Sequence, residues 1–149
     1  MKISRSVVLI TSAGSHLGGT LATHFAQMGA TLVMTDTNST QLYKNVEACR
    51  KITKDVHLFS MTDYSQNSVD QLFKDIDFGL ELVVDVLINN WLHAPLPTLI
   101  GNHTGEEFTR CLSDITTNLF SFSHSCAEQM RKHNQSGVIV NLLSNSETI

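Results

Sequence analysis

This sequence predicts an open α/β fold, a parallel sheet with helices wound over both faces, and three observations predict it. Short apolar runs alternate with helical patterns along the whole chain, the order expected of β-α units. The runs are continuous, as in Val7-Val8-Leu9-Ile10, where a sheet with one wet face would alternate apolar and polar residues. The first run also passes through a short turn, Ser12-Ala13-Gly14-Ser15-His16-Leu17-Gly18-Gly19, directly into Leu21, Phe25 and Met28 at helical spacing.

In chain order, the apolar runs place strands at 6–11, 31–35, 56–59, 84–89 and 138–143, and the intervening periodicity places helices at 16–28, 39–52, 68–77 and 105–133. The last helix is the best marked. Thr104 and Glu107 form a capping box, and Phe108, Leu112, Ile115, Leu119, Phe122, Cys126 and Met130 recur every three or four residues as a core-facing stripe. Residues 91–103 hold both prolines and read as the loop leaving the fourth strand. No repeat, low-complexity segment or linker divides residues 1–149, so we expect one domain with strand order 3-2-1-4-5.

A chain of 149 residues with a net charge of -4 suits one cored domain, and it argues against a phosphate backbone or an anionic membrane as partner. Lys and Arg form no basic stripe, which disfavours nucleic acid. No apolar stretch approaches a membrane span, and Met1-Lys2-Ile3-Ser4-Arg5 leads into the first strand without a secretory segment. Cys49, Cys111 and Cys126 lack metal or redox spacing, so the expected setting is the reducing cytoplasm. The seven histidines are scattered, and no metal site is expected.

Open α/β sheets bind ligands at the carboxyl ends of their strands. The candidate surface is therefore residues 12–17, Asp36, Ser60, Met61, residues 89–92 and Ser144. Glycines in the first turn let the backbone approach a pyrophosphate, and the following helix offers free N–H groups and a positive dipole end. Asp36, about twenty residues on, stands where a carboxylate accepts hydrogen bonds from an adenosine ribose and repels a 2′-phosphate. No Arg stands in the turn or after Asp36, so the cofactor expected is NAD. The alternative is a strand-turn-helix that holds no ligand.

Taken together, these residues resemble the short-chain dehydrogenase/reductase superfamily, whose fold is Rossmann-type. That family's turn reads Thr-Gly-x-x-x-Gly-x-Gly, and Thr11, Ser12, His16 and Gly18 stand at those places. Asn89-Asn90, Thr104–Phe108, Asn118-Leu119 and the run Gly137-Val138-Ile139-Val140-Asn141-Leu142-Leu143-Ser144 match further family segments in order. The resemblance implies cofactor contacts at Ser12, Gly14, Ser15, His16, Leu17, Gly18, Asp36, Ser60, Met61 and Asn90. It also implies that Ser144 and Asn118 are remnants of the catalytic set, acting on a small carbonyl or alcohol.

The departures carry expectations of their own. Ser12 and His16 replace glycines and should intrude on a pyrophosphate, although the family's enoyl-acyl-carrier reductases bind NAD through an altered turn. Ser60 replaces the acidic or amide side chain that reads adenine, leaving the Met61 backbone to contact the ring. Trp91-Leu92 replaces Ala-Gly; the indole either fills the cofactor cleft or turns into the core, and we expect partial occlusion.

The resemblance also implies a Tyr whose hydroxyl exchanges the proton and a Lys four residues later that lowers its pKa. Neither Tyr43 nor Tyr64 is followed by such a Lys, and only five residues follow Ser144. As given, the chain is expected to be inactive. It is also expected to leave strand 138–143 as an uncharged sheet edge. The chain is read first as part of a longer one. A self-associated form, or a short pseudoenzyme with a partner covering strand 138–143 and helix 105–133, are the other accounts.

Overall fold

Four apolar residues in a row with no water-facing position need cover on both faces, and a central parallel strand supplies it. The computed structural model describes residues 1–91 and 104–142. In it β1 (Val7–Ile10) is buried throughout. It pairs in parallel with β2 (Thr31–Asp36) on one side and β4 (Val86–Asn89) on the other. β3 (Val56–Ser60) lies beyond β2, and β5 (Val138–Asn141) lies beyond β4. The order β3-β2-β1-β4-β5 is the one expected, and the winding reverses between β1 and β4.

Strand side chains alternate between the two faces. Val8, Ile10, Leu32 and Met34 meet α1 (His16–Gln27) and α2 (Ser39–Arg50) through Ala22, Ala26, Leu42 and Val46. Leu9, Val33 and Leu87 meet α3 (Gln66–Lys74) and α4 (Gly105–Lys132) through Val69, Leu72, Phe73, Phe122 and Cys126. The third helix begins slightly earlier than the apolar pattern suggests, because the Ser65 hydroxyl caps it by accepting from Ser68 N. It runs on into a single π-turn, Asp75–Gly79.

The capping box at Thr104 and Glu107 is present. The apolar stripe behind it divides in two. Phe122, Cys126 and Met130 are buried, whereas Phe108 is 45% and Leu112 44% exposed. Length explains this: at about 1.5 Å per residue, the 28 residues of α4 far outreach the four of β4. β5 also departs from the buried run its composition suggested, with Val138 44% and Ile139 36% exposed. Among the described residues it has a neighbouring strand on one side only. No described helix is long and apolar enough to cross a membrane.

The division of α4 predicts unequal costs for two phenylalanines. Phe122→Ala should lower unfolding free energy by about 3–5 kcal/mol, and Phe108→Ala by no more than about 0.5 kcal/mol, both read by urea denaturation. Equal losses would contradict this packing.

Candidate functional site

The reversal point of the winding is built from the turn between β1 and α1. Thr11 is fully buried; its Oγ1 accepts from Asn90 N at 2.9 Å and donates to Ile88 O at 3.3 Å, tying the end of β1 to the end of β4. Asn90 Nδ2 donates to Ser12 O (3.4 Å) and Ser15 Oγ (3.2 Å). Ser15 is the N-cap of α1, its hydroxyl accepting from Gly18 N at 3.0 Å and donating to Ser12 O at 2.7 Å.

The turn keeps the left-handed backbone that the family's glycine would supply. Ser12 has φ +46°, strain worth about 1 kcal/mol for a residue with a side chain. Its Oγ is buried and makes no well-formed hydrogen bond among the described residues. A Cβ on Gly18 would collide with Ser12 O, so glycine is required for α1 to sit this close to β1. Gly14, a cofactor contact by the resemblance, also has a structural role: a Cβ there would lie 2.8 Å from Asp36 Oδ2 and 2.9 Å from Leu42 N. The Asp36 carboxylate accepts from Gly14 N (2.8 Å) through one oxygen and from Asn38 N (3.0 Å) through the other. It thereby joins the turn to the start of α2.

His16 and Leu17 are exposed at the first turn of α1. Of the two residues expected to intrude on a pyrophosphate, only His16 therefore lies on the solvent side; Ser12 is buried. Ser60 is exposed at the end of β3. Met61, expected to contact a ring, is buried, and its N–H donates to Asp36 O at 2.9 Å. Asn118 is half-buried on α4. Leu92 and Ser144 lie outside the described residues.

Trp91 corrects one expectation. Its indole is 2% exposed and turns into the core, with Phe122 at 5.2 Å between centroids and Nε1–H donating to Asn89 Oδ1 at 3.1 Å. The alternation of β4 continues past its end. Asn89 reaches Ser123 of α4, Asn90 reaches the β1 turn, and Trp91 returns to the α4 side.

From the segment after β3, Tyr64 reaches the end of β2. Its hydroxyl accepts from Thr37 N at 3.2 Å, and its ring stands edge-on to Trp91, 4.8 Å away at 81°. Burial, and then the nearby Asp36 charge, push its pKa up to about 12, against some relief from Thr37 and Ser12. Asn45 was likewise not singled out from the sequence. Its Nδ2 donates to Ala13 O (2.8 Å) and Ser15 O (3.1 Å), bracing the turn from α2. The available signal was an amide three residues after Leu42 on the apolar side of that helix.

A family model described as short chain dehydrogenase matches residues 6–148. An uncharacterized oxidoreductase of Thermotoga maritima is 29% identical over all of this chain and 57% of its own length. Mouse 17-beta-hydroxysteroid dehydrogenase 13 is 29% identical over 95% of this chain and 46% of its own. Mouse epidermal retinol dehydrogenase 2 is 32% identical over 79% and 35% respectively. Among solved structures, an NAD+-bound xylitol dehydrogenase superposes with a TM-score of 0.81 at 23% identity, covering 91% of this chain and 52% of that one. A short-chain type dehydrogenase/reductase from Mycobacterium marinum gives 0.85 at 19%, covering 97% and 57%. The chain spans about half the length of these first relatives.

Two measurements check the geometry. Ser12→Gly should stabilise the fold by about 1 kcal/mol in thermal or urea unfolding, because it relieves the left-handed serine. Tyr64 favours its neutral form in the folded state, so its contribution is complete below pH about 10 and is lost as pH rises towards about 12. Stability should fall across that window, and Tyr64→Phe should remove this component of the fall.

Proposed function

The chain belongs to the short-chain dehydrogenase family, and we propose that it forms the nucleotide-binding part of an NAD(H)-dependent oxidoreductase of the cytoplasm acting on a small carbonyl or alcohol. The observation that carries this reading is the Asp36 carboxylate, held 2.8 Å from Gly14 N beside the start of α1. A negative group fixed there favours ribose hydroxyls over a 2′-phosphate. The first N–H groups of α1 have no partner within the helix, and His16 and Leu17, which carry them, face solvent. That end fits a pyrophosphate. The adenosine end is crossed by Tyr64.

When bound, NAD would supply hydride transfer; this chain's own contribution is to hold and orient it. Asn118 and Ser144 match the family's supporting residues, but no Tyr-x-x-x-Lys pair is present. We therefore expect these 149 residues to bind nucleotide without turning over substrate. The exposed apolar side chains of β5 and α4, Val138, Ile139, Phe108, Leu112 and Phe120, support association with a second copy or a partner protein. Ser12 in the turn and Tyr64 at its rim favour a second reading, a non-catalytic relative that acts through those protein contacts.

Titration with NADH and NADPH, followed by fluorescence or thermal shift, tests the proposal. NADH at a hundred times its Kd should stabilise the fold by about 2.7 kcal/mol, with NADPH binding at least about tenfold more weakly. A flat response at millimolar NADH would refute it.

A further inference from the structure

We propose that Tyr64 is a built-in competitor for the adenosine part of the cofactor, an inference that rests on the nucleotide-binding reading above. The side chain leaves the segment after β3 and meets residues at the ends of β1, β2 and β4. Its hydroxyl is bonded to Thr37 N beside Asp36, at the end of β2, and neighbours Ser12 at the end of β1. Its edge rests on Trp91, the residue that follows Asn90 beyond β4. Phe122 supports it from α4, with ring centroids 6.0 Å apart.

The Asp36 carboxylate already receives two backbone donors, Gly14 N and Asn38 N. A ribose hydroxyl must therefore use the oxygen lone pairs that remain, and the Tyr64 oxygen accepts from the next backbone amide, Thr37 N, near enough to feel the Asp36 charge. Ribose and phenol claim the same rim. Among the described residues the phenol is held by one hydrogen bond of 3.2 Å, edge contacts with two rings and partial burial against the α3–α4 core. The tyrosine is displaceable, and its displacement lowers the apparent affinity for nucleotide. Trp91 is the chain's single tryptophan, so it reports directly on whether Tyr64 leaves.

ADP-ribose separates the possibilities, since it carries adenosine and pyrophosphate but no nicotinamide absorbance. Titrated into the 149-residue chain, it should change Trp91 emission and make Tyr64 more reactive to nitration as the ring swings out. Tyr64→Ala should bind ADP-ribose at least tenfold more tightly than the parent. Tyr64→Phe, which keeps the ring contacts and loses only the hydroxyl, should gain a few-fold and guards against a fold defect in the alanine variant. Parent and both variants binding with equal affinity, with Tyr64 nitration unchanged by ligand, would overturn the competitor while leaving nucleotide binding intact. No binding to any of the three proteins would remove the nucleotide reading and the competitor with it.

Discussion

The approach of Gly18 to the Ser12 carbonyl, closer than any side chain allows, governs how the rest of the molecule is arranged. With the two backbones this near, α1 buries the small side chains of Ala22 and Ala26 against the sheet, and Leu21 and Phe25 pack partly buried against the same cluster. The same closeness obliges the chain to turn through a left-handed residue at Ser12. It also leaves the peptide groups of 12–15 pointing towards neighbours that must satisfy them. Asp36, Asn45 and Asn90 do so from β2, α2 and the end of β4. A single steric requirement thus recruits polar residues from three other elements into one place.

The strands and their order were legible because each parallel strand is an uninterrupted apolar run, and one winding scheme suits five such runs separated by helices. The start of α4 was legible because Thr104 and Glu107 satisfy each other locally. The direction of Trp91 was misjudged, although the period-two pattern Leu87, Asn89, Trp91 pointed at the α4 side all along. Tyr64 was a different case. Its meeting with Thr37 depends on the register of β2 against β3, Asp36 opposite Ser60, and on the path of the residues after β3, which no local pattern encodes. The packing role of Gly14 is equally non-local: what excludes a side chain there is Asp36, twenty-two residues away, together with Leu42 N.

The site and the hydrophobic interior are not separate regions in this protein. Phe73, Phe122, Trp91 and Tyr64 make successive edge or tilted ring contacts, from the α3–α4 interface out to the rim of the crevice. Such contacts favour particular mutual orientations beyond simple burial. The position of the outermost ring is therefore set partly by residues far below the surface.

That aromatic series has a consequence for how this family member can diverge. On the competitor proposal, a site that borrows one wall from the interior would tie nucleotide uptake to the cohesion of the whole domain. Loosening the packing around Phe122 would then weaken the grip on the outermost ring and admit a ligand more readily. Tightening it would harden the domain and shut the door. Selection for robustness and selection for occupancy then pull on the same few side chains in opposite directions.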